Sequence, residues 1–114
     1  MPRDDAQRLD DMLEASDKVM SKVHGLTFEQ FIDDENLHLA VTLLIQIVGE
    51  AASRVTTSTR QCYEDIPWSQ IIGMRNILVH DYGGIDYRIV WQVATNNLPK
   101  LVDQLRDRDQ LKKR

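Results

Sequence analysis

The stretch that most limits the fold of this chain is "LAVTLLIQIVGEAA", residues 39–52. Within the longer segment "DDENLHLAVTLLIQIVGEAASRV" its apolar positions cover more than one face of a helix. A surface helix shows one apolar stripe, whereas a helix apolar on several sides must be covered on several sides. This segment is therefore expected at the centre of a helical bundle. Glu50 and Gln46 interrupt it, and no apolar run reaches the roughly 18 residues of a membrane span.

The remaining segments read as partners for that central helix. "RLDDMLEASDKVMSKV" places Leu9, Met12, Leu13, Ser16, Met20 and Val23 on one stripe with the helical period. Gly25 is placed to end it as a C′ residue. In "LTFEQFI", Thr27 and Gln30 have the spacing of a capping box, which predicts a short helix. "TTSTRQCYEDIP" is polar, rich in turn formers and closed by a proline, so it reads as the main loop. Pro67 suits the first turn of a helix over "WSQIIGMRNILVH", where its missing N–H costs nothing, and Gly83-Gly84 should break that helix. Asp86 can cap a last long helix, "YRIVWQVATNNLPKLVDQLRDRDQL". Pro99 should kink it by removing a hydrogen bond and crowding the carbonyl of Thr95. The charged tail "RDRDQLKKR" is expected to fray. Four or five helices with short links predict an all-α antiparallel bundle, in one domain over residues 1–114. A chain this small buries only about two-thirds of its surface, so a second copy is expected to cover the spare apolar faces.

Composition narrows the function. The chain has 114 residues and a formal net charge of −4, which disfavours a general nucleic-acid coat but leaves room for a local basic cleft. The acidic residues gather in "DDAQRLDD" and "DDE", while Arg54, Arg60, Arg75 and Arg88 lie nearer the stretch "MRNILVHDYGG". The lone Cys62 excludes an internal disulfide and any multi-cysteine metal site, and reads as a half-buried loop residue. The acidic N-terminus has no apolar h-region, so a cytoplasmic location is expected, with no membrane partner.

"MRNILVHDYGG", residues 74–84, holds the candidate chemistry. Cutting RNA without a metal needs a group that moves a proton near neutral pH, and histidine does so. It also needs a fixed cation to hold the phosphate and offset its growing charge, and arginine does so. Arg75 and His80 are that pair, and Asn76 could orient the ring or the phosphate. Five residues along an ideal helix is a rotation of roughly 140°, so the two would not share a face. Either the helix loosens near His80, or the Arg75 side chain swings round, or a second chain completes the cleft. Taken singly, each residue also has an ordinary reading. A histidine near a helix C-terminus commonly serves the dipole, and a helical arginine is commonly solvated or paired.

"IVGEAA" at 47–52, "DIPWSQIIGMRNILVHDY" at 65–82, and "VW" followed by "LPKL" at 90–101 closely resemble the HepT-like branch of the HEPN superfamily. The match runs in order from about Arg8 to Leu105. The resemblance implies an all-α HEPN bundle that dimerises through its helices, with the R-x4-H cleft at or near the interface. It implies a metal-independent endoribonuclease acting as the toxin of a two-gene toxin–antitoxin pair, with RNA, tRNA included, as substrate. The implied partner is a minimal nucleotidyltransferase antitoxin of the MntA type, which uses ATP to AMPylate the motif tyrosine; cleavage itself needs no cofactor. The R-x4-H-x-Y motif falls on Arg75, His80 and Tyr82 without insertion. AMP on Tyr82 would put phosphate beside Arg75 and His80 and repel an RNA backbone. Glu50 lies in the GEA box. A carboxylate is costly to bury unpaired, so Glu50 is expected to pair with an arginine such as Arg75, or to bond near His80, as a supporting group with Asn76.

Two rivals remain. Glu35-x-x-His38 has the spacing of half a di-iron bundle motif, but the chain has no second copy, so no metal site is expected. The stronger rival is a non-catalytic helical partner of a nucleotidyltransferase, in which Arg75 and His80 contact a phosphate or nucleotide without cutting.

Overall fold

The computed structural model describes residues 1–76 and 84–112, with side chains through residue 107. His80, Tyr82 and Gly83, on which several expectations rest, lie outside the described residues. The described residues form helices and no strands. The expected all-α bundle is therefore the observed architecture.

The first helix, α1 (Arg3–Val23), starts five residues before the periodic stretch and stops where Gly25 takes φ +74°. Leu9, Met12, Ser16 and Val23 of the expected stripe are buried along it, while Leu13 and Met20 are half-buried. Ala15 and Val19 are buried as well, so the buried strip is wider than the expected stripe. The short α2 (Phe28–Asp33) carries the complete capping box. Gln30 N–H donates to the Thr27 hydroxyl at 3.1 Å, and Thr27 N–H donates to the Gln30 side chain at 2.9 Å. Asp34 then caps α3 (Glu35–Ser53), accepting from the Leu37 amide at 3.1 Å.

Helix α3 is the centre of the molecule, with α1 along one side and the Arg75 segment along another. By length and mean hydropathy it is the one described helix that could cross a membrane. Here part of its apolar surface packs inside the bundle. Val41, Ile45, Val48 and Ala52 are fully buried, and each large aliphatic side chain so placed is worth roughly 1.5–3 kcal/mol.

Between α3 and Pro67 the structure departs from expectation. The segment expected to be a loop folds as a short helix, α4 (Thr57–Cys62), and Cys62 is exposed at its end rather than half-buried in a loop. The cause is long-range. Thr56, at the N-cap, makes no side-chain capping bond. Asp5 of α1 supplies the cap from 51 residues away, accepting from the Thr56 amide at 3.1 Å.

Pro67 occupies the N-cap of α5 (Trp68–Gly73), which tightens into a 3-10 turn at Met74–Asn76. Gly84 has φ +83°, the left-handed region that glycine enters cheaply. Asp86 caps the last helix, α6, accepting from the Arg88 amide at 3.0 Å. Helix α6 runs as Tyr87–Gln92, passes through a π-helical turn at Val93–Asn97, and resumes as Leu98–Lys112. The disturbance expected at Pro99 takes this form. Proline cannot donate to the Thr95 carbonyl, so the ladder shifts by one residue ahead of it, and Leu98 N–H bonds to Val93. The tail expected to fray is helical as far as Lys112.

Candidate active site

Arg75 is reached through a chain of braces that begins at the N-terminus. Asp5 is almost fully buried. Besides the Thr56 amide, its carboxylate accepts from the hydroxyls of Thr56 and Thr59, both at 2.5 Å. Burial alone would raise this carboxyl's pKa. The three donors, helped by the positive N-terminus, outweigh burial and hold it below the usual aspartate value.

The helix capped in this way presents Arg60. Its guanidinium donates to the carbonyls of Ser53 at 3.1 Å and Ala52 at 3.4 Å, closing the C-terminal end of α3. The same group lies 5.9 Å from the centre of the Trp68 ring. Trp68 Nε1 donates to the Tyr63 carbonyl at 3.1 Å. The "IPW" entry thus fixes the start of α5, and with it the direction of the turn that carries Arg75.

That turn rests directly on α3. Met74 is buried, Arg75 is half-buried and Asn76 is exposed. Among the described residues the Arg75 guanidinium has no ion pair and no side-chain hydrogen bond. A fixed cation with its donors uncommitted is suited to an anionic oxygen. The point of contact on α3 is Gly49, where a Cβ would run into the Arg75 backbone. The helical geometry changes at Met74, where α5 gives way to the 3-10 turn that holds Arg75.

Glu50 differs from its expected place. It is exposed and has no ion pair with Arg75. It lines a groove of about 430 Å³ between α1 and α3, together with Arg8, Lys18, Arg54 and Ile47. The physical reason is angular. Consecutive helical residues differ by about 100°, so if Gly49 faces Arg75 its neighbour points elsewhere.

Among the described residues the other arginines near the motif divide into committed and free. Arg60 is spent on the α3 carbonyls, and Arg88 lies over the Phe28 ring at 4.9 Å. Arg54 is exposed in the α1–α3 groove. No cluster of three or more metal-ligating side chains occurs among the described residues. His38 instead joins an aromatic cluster, with its ring centre 4.4 Å from Tyr87 and 6.0 Å from Phe31.

A family model described as "Ribonuclease HepT-like" matches residues 12–107. This chain belongs to the HepT-like family. A Methanocaldococcus jannaschii protein named as a candidate RNase is 32% identical over 99 residues, covering 87% of this chain and 91% of that protein. A Caldanaerobacter subterraneus protein with the same kind of name is also 32% identical, covering 87% of this chain and 88% of its own. A Thermococcus cleftensis protein named as a probable ribonuclease HepT is 30% identical over 101 residues, covering 89% and 92%. No solved structure matches.

In this HepT-like chain Arg75 and Asn76, expected inside a continuous helix from Trp68, stand instead in the 3-10 turn that follows it. Sequence reasoning missed Asp5, Arg60 and Gly49. Asp5 acts across the chain and left no local signal, while Arg60 bonds to carbonyls only seven and eight residues back. Gly49 did leave a local signal. A glycine inside a buried helix costs up to about 1 kcal/mol against alanine, and such a glycine normally has a packing reason.

Proposed function

We propose that this chain is a metal-independent endoribonuclease and the toxin of a toxin–antitoxin pair. The observation that carries the reading is the half-buried Arg75 guanidinium, unpaired among the described residues, held on a braced turn against α3. Membership of the HepT-like family supports RNA as the substrate class. In this account Arg75 grips the scissile phosphate and His80 moves the proton. The ribose 2′-hydroxyl gives up its proton as its oxygen attacks the adjacent phosphorus, the P–O5′ bond breaks, and a proton is delivered to the leaving 5′-oxygen. The products carry a 2′,3′-cyclic phosphate and a 5′-hydroxyl, and no cofactor takes part. Asn76 is a supporting group. Glu50 is proposed to act from the α1–α3 groove rather than by pairing with Arg75.

Control is proposed to come from a minimal nucleotidyltransferase antitoxin of the MntA type. It transfers AMP from ATP to the Tyr82 hydroxyl, releasing pyrophosphate, and the added phosphate opposes RNA at Arg75. We also propose a cytoplasmic homodimer. Leu39, Leu43 and Ile47 are spaced four apart on α3 and are 46%, 56% and 41% exposed. That is one apolar stripe of the central helix left bare, and a second copy of the chain would cover it.

The test uses purified, unmodified protein with RNA in excess chelator. Cleavage that yields cyclic-phosphate ends is expected. RNA bound but never cut would instead identify a non-catalytic helical partner of a nucleotidyltransferase.

A further inference from the structure

Gly49 is buried in the last third of α3, away from any turn. Its φ is not positive, so the backbone itself does not require glycine there. What requires it is space. A Cβ at this position would collide with the backbone nitrogen of Arg75 and stand 3.0 Å from both Cα and Cβ of Arg75. These atoms are not the far end of a flexible side chain. They can give way only if the whole turn at Met74–Asn76 moves. The residues one turn to either side on the same face of α3, Ile45 and Ala52, are fully buried, so α3 cannot easily yield instead.

Gly73 makes the contrast. It lies two residues before Arg75, its φ is likewise not positive, and among the described residues a Cβ there would meet nothing within 4 Å. The same substitution at these two glycines should therefore have opposite results.

We propose that Gly49 is a positioning residue for Arg75: its bare α-carbon seats the turn that carries the guanidinium and so sets where that guanidinium stands. The inference rests on the ribonuclease reading for its effect on rate, but the seat itself is independent of that reading. A shift of about 1 Å in a phosphate-holding group is enough to cost on the order of 10²-fold in rate.

The experiment compares wild type, Gly49→Ala, Arg75→Ala, the double variant and Gly73→Ala in RNA cleavage, with kcat and KM separated. Gly49→Ala should lower kcat by about 10- to 100-fold. If Gly49 acts through Arg75, the double variant should be no slower than Arg75→Ala alone, and Gly73→Ala should match wild type. Multiplying losses in the double variant would overturn the inference, because independent sites add in free energy. A second measurement needs neither a variant nor RNA. In the wild-type protein a nuclear Overhauser contact is expected between the Gly49 α-protons and the Arg75 amide. Its absence overturns the inference whether or not RNA is cut. Its presence in a protein that cuts no RNA would overturn the ribonuclease reading and leave the seat standing.

Discussion

Removing the Asp5 carboxylate should destabilise the whole brace that ends at Arg75. In Asp5→Ala the α4 N-terminus loses its cap, a loss typically worth about 1 kcal/mol. Thr59, only 3% exposed, loses its 2.5 Å acceptor, and an orphaned buried hydroxyl costs about 1–3 kcal/mol. Its remaining side-chain partner is the Thr56 hydroxyl at a long 3.4 Å. Together these give a loss of about 3 kcal/mol near neutral pH. For a chain of this size that corresponds to a fall in Tm of roughly 12 °C. The folded-state pKa of Asp5 is depressed, so its stabilisation is present above the unfolded value of about 3.9 and is lost as pH falls through the lower folded value. The gap in thermal stability between wild type and Asp5→Ala should therefore be wide near neutrality and narrow in strong acid. A difference under about 0.5 kcal/mol at neutral pH, the range of an ordinary surface substitution, would refute the reasoning. So would a gap of constant size from neutrality down to strong acid.

Two further outcomes follow from the surface and the motif. Leu43→Glu places a charge in the middle of the bare α3 stripe and should turn a dimer into a monomer in sedimentation, with the helical content unchanged; a monomeric wild type would remove the proposed interface. Co-expression with a minimal nucleotidyltransferase should raise the intact mass of the chain by whole AMP units, and Tyr82→Phe should abolish the increase; modification that survives Tyr82→Phe would place it elsewhere.

Local signals proved readable where a helix end is set by residues close in sequence. Thr27 with Gln30, Gly25 and Asp86 each do what their chemistry and spacing imply. The apolar coverage of α3 announced its central place. The failures lie where a distant partner decides. The segment after Thr56 looks like a loop because its cap is stored in α1, and no window of sequence near Thr56 contains Asp5. Pro99 announced a disturbance, and the structure shows it as a π turn at Val93–Asn97 rather than a sharp kink. The expectation for Glu50 followed from the apolar letters around it. Those letters do not tell which of two adjacent residues faces Arg75, and the structure assigns that direction to Gly49. Of the candidate site, the start of the helix leading to Arg75 could be placed from Pro67 and Trp68, but not the 3-10 turn that holds Arg75 and Asn76. What makes the place of Arg75 definite is the seat on α3 and the Arg60–Trp68 brace, both of which exist only in three dimensions.

If a cation on that seat and a proton-moving histidine together break RNA, removing either one must stop the cleavage. The most direct measurement is the metal-free cleavage rate of Arg75→Ala and His80→Ala beside wild type, with folding checked by circular dichroism. Each variant should lose at least about 10²-fold in rate while keeping its helical signal. Folded variants that cut RNA as fast as wild type would contradict the account.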